Sequence, residues 1–74
     1  MNAEMLDKLK RAADVITSLR ATALAMCDDM DKSNDIAQKE VIKIAIIETE
    51  SLLDSAIDAY NELIKQASED ERNR

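Results

Sequence analysis

The sequence predicts an all-α fold: a two-helix antiparallel hairpin that dimerises into a four-helix bundle. Three observations lead there. The 74 residues include no Gly and no Pro, the residues that most tight turns require. Two long segments repeat apolar residues at heptad spacing, and one polar stretch separates them. A chain of this length forms at most one small domain, which we place at residues 1–67.

The first helix is predicted at about residues 2–30. Its apolar residues recur at alternating intervals of four and three for nearly four heptads. Leu6, Ala13, Val15 and Cys27 flank this stripe and widen the apolar face, as bundle helices require. The first stripe consists of Met5, Leu9, Ala12, Ile16, Leu19, Ala23, Met26 and Met30.

A loop is predicted at about residues 31–34, inside the polar stretch from Asp28 to Asp35. Ser33, Asn34 and Asp35 are all favoured helix N-caps. Asn34 also tolerates the left-handed conformation without being Gly. The chain therefore turns here.

The second helix is predicted at about residues 35–67, followed by a polar tail, 68–74, that we expect to fray. Leu52, Ile57 and Ile64 widen its apolar face. The second stripe has the spacing of the first and consists of Ile42, Ile46, Thr49, Leu53, Ala56, Tyr60, Leu63 and Ala67.

Folding the chain about the 32/33 junction predicts a register in which facing residue numbers sum to 65. Ala23 then faces Ile42, and Met5 faces Tyr60. Every stripe residue from 5 to 23 meets a stripe partner, which predicts an αα-hairpin with a short loop.

The hairpin needs further stabilisation, because domains below about 70–80 residues rarely bury enough surface alone. One Cys excludes an intrachain disulfide, so oligomerisation is the expected remedy, and a homodimer is the simplest form. Apolar residues on the far sides of both helices predict a second contact surface, for the dimer, a higher oligomer or a foreign partner. Its predicted residues are Ala21, Leu24, Ala25, Ile36, Ile44 and Ile47.

Sixteen acidic against ten basic residues give a net charge of −6, which argues against nucleic-acid binding. Four carboxylates recur at i, i+4 on the second helix and form an acidic ridge: Glu50, Asp54, Asp58 and Glu62. Two interpretations stay open. The ridge docks a basic partner, or it is a solvated face that keeps a small dimer soluble.

The composition also argues against catalysis. There is no His, the commonest general base, and no Gly for a phosphate-binding loop. Carboxylates on an exposed face lack a pocket that would tune them for acid–base work. We therefore expect no enzyme activity, no catalytic residue and no cofactor.

No segment has the length of a membrane span, since the longest uncharged run is residues 21–27. The first residues carry acids and lack an apolar block, so we expect no signal peptide. With a single cysteine, the expected location is the cytoplasm.

Residues 29–40 resemble the twelve-residue calcium loop of the EF-hand family. The resemblance implies ligands from Asp29, Asp31, Ser33, Glu40 and the Asp35 backbone carbonyl. Asn34 departs from the pattern, because the loop has Gly there. An interhelical turn rich in capping residues selects the same amino acids, so no metal site is favoured and calcium binding is an alternative.

The cations of the first helix are Lys8, Lys10, Arg11 and Arg20. Together with the hairpin layout they resemble the Rop family, plasmid-encoded helical-hairpin dimers that bind RNA hairpins. The likeness is architectural, because no motif matches and acidic residues dilute the charge. RNA regulation is thus a second alternative. The favoured function is non-catalytic protein–protein interaction, as an adaptor, chaperone-like partner or inhibitor, and its size and charge suit a phage- or mobile-element-encoded inhibitor.

Overall fold

The computed structural model describes residues 2–72, which form two helices packed against each other as a hairpin. Helix α1 spans Ala3–Lys32 and helix α2 spans Ile36–Arg72. The molecule is a rod of 59 × 16 × 12 Å. The predicted all-α helical hairpin is therefore confirmed.

Side-chain caps determine where α1 begins. The Asn2 side chain accepts a hydrogen bond from the Met5 N–H at 2.8 Å, which satisfies one of the free donors of the first turn. At the other end Ser33 is extended, with φ −82° and ψ 137°, and its N–H donates to the Met30 carbonyl at 3.3 Å. The helix continues two residues beyond its predicted end.

The start of α2 depends on Asp35. Its Oδ1 accepts hydrogen bonds from the N–H groups of Ala37 at 2.9 Å and Gln38 at 3.4 Å. The Gln38 side chain turns back to the Ser33 hydroxyl at 3.0 Å. No non-glycine residue in the described range has a positive φ, so the turn does not use the left-handed conformation that Asn34 tolerates. The turn spans residues 33–35 without needing glycine.

The end of α2 differs from the prediction, because residues 68–72 continue the helix instead of forming a polar tail. No Gly or Pro follows Ala67 to stop it, and Arg72 in the last turn complements the negative end of the helix dipole. The remainder of the predicted tail, residues 73–74, lies outside the described residues.

The two stripes form the contact between the helices. Every residue of both stripes is buried or half-buried. Four further residues in the described range share that status, namely Ala13, Ser33, Ala45 and Ile57, and all others are exposed. The heptad pattern therefore identified the contact face of each helix.

The predicted register is wrong by one heptad. Ile16 and Tyr60 line one cavity, although the predicted pairing separates them by about 16 Å along the rod. Ala67 is only 5% exposed, yet the predicted pairing leaves nothing in α1 opposite it. Both observations are satisfied when facing numbers sum to 72. A pairing that sums to 79 would also satisfy them but would leave the half-buried Ile42 with nothing in α1 opposite it, so facing numbers sum to 72. The facing pairs are then Met5–Ala67, Leu9–Leu63, Ala12–Tyr60, Ile16–Ala56, Leu19–Leu53, Ala23–Thr49, Met26–Ile46 and Met30–Ile42.

The geometry of the loop explains this shift. Because Ser33 is extended, the linker advances along the rod axis, away from the end of α1, while it crosses to α2. In the register that sums to 72, α2 begins about 6 Å beyond the last residue of α1. Ile36 at that overhang is 79% exposed, because no α1 residue lies beside it. All eight stripe layers then contain a residue from each helix.

Candidate interaction surface

The hairpin buries little of its apolar surface. Ile46 and Ala67 are the hydrophobic residues that reach burial, and no described side chain is fully buried. Exposed large apolar side chains are far more numerous, and a monomeric protein rarely shows so many on so small a surface. They are Leu6, Val15, Leu24, Ile36, Val41, Ile44, Ile47, Leu52 and Ile64.

One broad side of the hairpin carries eight residues that each directly follow a stripe residue. The stripe residues in question are every second one, counted from Met5 in α1 and from Ile42 in α2. Heptad geometry places these positions of both helices on the same side of an antiparallel pair. Ala13, Arg20 and Ile57 belong to this set, and all three line one cavity, in agreement with that geometry. We call this side the cavity face; its residues are Leu6, Ala13, Arg20, Cys27, Lys43, Glu50, Ile57 and Ile64.

The cavity has a volume of about 320 Å³ and is open to solvent. On α1 its lining has the spacing i, i+3, i+4, i+7, which is the four-residue hole that accepts a side chain from another helix. The hydroxyl of Thr17 donates its hydrogen bond to the Ala13 carbonyl at 3.0 Å, so its donor is satisfied within α1. The cavity is lined by Ala13, Ile16, Thr17, Arg20, Ile57 and Tyr60.

The opposite broad side carries the residues that directly precede the remaining stripe residues, which begin with Leu9 in α1 and with Ile46 in α2. We call it the Leu52 face; its residues are Lys8, Val15, Thr22, Asp29, Ala45, Leu52, Ala59 and Gln66. Val15 and Leu52 are its large apolar side chains, and both are at least half exposed. Flanking residues were predicted to widen the apolar stripe of each helix. Most of them are exposed in the single chain, so the hairpin by itself does not cover them.

The six residues predicted as a second contact surface do not lie together. All are exposed. Ala21 and Ile44 each lie about 160° around their helix from a stripe residue, so they point in opposite directions on the two outer edges of the rod. Leu24 and Ile47 instead lie at similar height on the outer margins of the cavity face. Ala25 lies toward the Leu52 face and Ile36 lies at the loop end of α2, so the predicted surface is divided between both edges and both faces.

The acidic ridge is fully on the surface. Glu50, Asp54, Asp58 and Glu62 are exposed, and none lies within ion-pair distance of a Lys or Arg in the described part of the chain. Successive i, i+4 positions advance about 40° around a helix, so the ridge winds from the cavity face across the back of α2. It is a curved strip of unpaired negative charge.

The EF-hand interpretation of residues 29–40 requires a loop that the structure does not contain. Asp29 and Asp31 belong to the last turns of α1, and Glu40 lies in α2. The Asp35 carboxylate caps α2, and residues 2–72 hold no group of three carboxylate, thiol or imidazole side chains placed to bind a metal. In the structure these residues form a capped turn between two helices, and calcium binding stays a prediction.

The cations of α1 do not form a basic patch. Lys8 pairs with Glu4 at 3.8 Å, and Arg11 pairs with Asp7 at 2.7 Å. These are exposed i, i+4 pairs worth a few tenths of a kcal/mol each. Arg20 has no such partner among the described residues. RNA binding, as implied by the Rop-like layout, stays a prediction.

Sequence reasoning missed the cavity face as a unit. Each of its residues directly follows a stripe residue, which is visible in the sequence. Arg20, however, was assigned to the cations of α1, and Glu50 was assigned to the acidic ridge. Cys27, predicted to flank the first stripe, is exposed on this face. Only the corrected register brings Arg20 and Glu50 to similar heights.

No helix among the described residues is both long and apolar enough to cross a bilayer. Comparison with models of protein families, with curated proteins and with solved structures gives no significant match.

Proposed function

We propose that this protein is a non-catalytic protein–protein interaction module that acts as a self-associated helical hairpin, with a homodimeric four-helix bundle as its basic form. The observation that carries the proposal is the imbalance between nine exposed large apolar side chains and the two buried hydrophobic residues. A two-helix core of this size does not stabilise a fold by itself. Self-association covers the uncovered flanks.

The proposal also includes a foreign protein partner. After one broad face is covered by a second copy, the outer edge of α2 still carries Ile44, which is 56% exposed. The unpaired acidic ridge runs along the same helix. An apolar residue beside a strip of negative charge fits a partner with an apolar contact and a basic rim, so the module acts as an adaptor, chaperone-like partner or inhibitor. A cytoplasmic location fits the free thiol of Cys27.

Affinity capture from the native cell tests this function. The wild-type chain is expected to retain a defined partner, and Ile44→Asp is expected to lose it because a charge enters the apolar contact. Ser51→Asp is the matched control: it adds the same charge one heptad further along the same exposed line of α2. Loss of the partner with both variants, or with neither, would contradict the placement of the contact at Ile44.

Self-association has its own readout. The melting temperature, followed by circular dichroism, is expected to rise with protein concentration, because binding between folded copies stabilises the folded state by mass action. A cooperative transition that is independent of concentration would contradict the proposal.

A further inference from the structure

We infer that a second copy of this chain docks on the cavity face, with the two hairpins side by side and their loops at the same end. This inference rests on the proposed self-association and adds the face and the orientation. The two-fold axis then runs along the rod, so that α1 of each copy lies over α2 of the other. All neighbouring helices in the resulting bundle are antiparallel.

The exposed area matches the requirement of a dimer. The chain exposes 5689 Å², whereas a compact monomer of 8.3 kDa exposes about 4,600 Å². The excess is about 1,100 Å² per chain, and a stable interface covers about 800 Å² or more on each partner. One covered face of the rod accounts for the excess.

The cavity indicates which face is covered. The hole formed by Ala13, Ile16, Thr17 and Arg20 lies near the middle of α1. In the proposed arrangement Ile57 of the second copy lies directly over this hole at the same height along the rod. Its side chain enters the cavity as a knob enters a hole, and the two-fold axis repeats the contact.

Apolar residues pair in the same arrangement at the open end of the rod. Leu6 lies over Ile64 of the second copy, and Ala13 lies over its Ile57. Leu6 is 56% and Ile64 42% exposed in the single chain. Both would be covered by the second copy.

Charge complementarity determines the orientation. With the loops at the same end, Arg20 lies over Glu50 of the second copy, and the symmetry makes two such pairs. Neither residue has an ion-pair partner within its own described chain. With the loops at opposite ends, Ile57 would face Glu50 and Ile64 would face Lys43, which places apolar groups against charges.

Mixing two charge-reversal variants tests this contact. Arg20→Glu alone and Glu50→Arg alone each place like charges across the interface twice, and each is expected to raise the dimer dissociation constant roughly tenfold. An equimolar mixture is expected to form heterodimers preferentially and to regain near wild-type affinity, measured by native mass spectrometry. Repulsion inside each hairpin is the same before and after mixing, so the gain reports the contact between copies.

Arg11→Glu and Glu62→Arg are the matched control pair. They change the net charge identically, but both lie on the other side of the rod, toward the Leu52 face, and both are exposed. No preference for the heterodimer is expected from this pair. An equal or larger preference in the control pair would overturn the assignment of the face.

A distance measurement tests the orientation with a single small substitution, Cys27→Ala, on the cavity face. Nitroxides are attached to Asn34→Cys in a Cys27→Ala background, and the distance between copies is measured by pulsed dipolar EPR. Loops at the same end predict a separation within about 30 Å, the width of a four-helix bundle plus the label arms. A separation near the 59 Å length of the rod would overturn the orientation while leaving self-association intact. A wild-type chain that stays monomeric would overturn the proposed function itself.

Discussion

Ile16 of α1 and Tyr60 of α2 line the same cavity, which excludes the predicted register and, together with the half-buried Ile42, leaves the register in which facing numbers sum to 72. It places Met26 and Met30 opposite the isoleucines Ile46 and Ile42, at the loop end of the seam. It also brings Arg20 and Glu50 to similar heights on one face. The register thus connects the packing within one chain to the complementarity that we propose between two chains.

The cap of α2 is the first feature to test. Asp35→Ala removes the acceptor for the N–H groups of Ala37 and Gln38. The loss of an N-cap costs about 1 kcal/mol in the free energy of unfolding. Asp29→Ala is the control, because this carboxylate is exposed and caps nothing. Equal destabilisation by the two variants in urea titrations would contradict the capping role.

The seam is tested by comparing two isoleucines of α2. Ile46 is 9% exposed, so Ile46→Ala is expected to lower the free energy of unfolding by about 2–3 kcal/mol. Ile44→Ala removes the same atoms from the outer edge of the helix, and we expect a loss below about 0.5 kcal/mol. A large loss at Ile44 would show that this edge is covered in the assembled protein.

The choice of face is tested by Ile57 and Leu52, which flank the seam on opposite sides. Ile57→Asp places a charge over the cavity of the second copy and is expected to raise the dimer dissociation constant at least tenfold, because the charge loses its water there. Leu52→Asp introduces the same charge on the other face and is expected to leave association nearly unchanged. Analytical ultracentrifugation of both variants decides between the faces; the reverse order of effects would exclude the cavity face.

Repulsion between the carboxylates of the acidic ridge slightly lowers the stability of α2. Asp58 lies at i, i+4 from both Asp54 and Glu62, and like charges at this spacing destabilise a helix by a few tenths of a kcal/mol per pair. Asp58→Lys turns two repulsive pairs into attractive ones, so we expect a gain of about 0.5–1 kcal/mol at low salt. The gain should shrink in 1 M NaCl because exposed charges are screened. A salt-independent gain would indicate a cause other than charge.

The hairpin and the contact faces of its helices were predictable from the sequence, because the alternation of four- and three-residue spacing follows directly from helix geometry. Every stripe residue, from Met5 to Ala67, is covered accordingly. The register was not predictable from the stripes, since a heptad pattern repeats unchanged when one helix slides by seven residues. The extended conformation of Ser33 lengthens the path of the loop and agrees with the pairing inferred from the cavity and from burial.

The interaction surface was predicted only in part. The sequence indicated that Ile44, Ile47 and Leu24 are exposed, and the structure agrees. It did not indicate that they lie on different sides of the rod, because that conclusion needs the positions of both helices together. The heights of Arg20 and Glu50 along the rod depend on the register, so their complementarity could not be predicted from the sequence.

Sedimentation equilibrium of the wild-type chain tests the central claim most directly. The account predicts a mass of twice 8.3 kDa at micromolar concentration, with helicity that falls as the dimer dissociates on dilution. A chain that sediments at 8.3 kDa up to about 100 μM, while remaining helical and melting cooperatively, would contradict it, because the two-helix core would then be sufficient by itself.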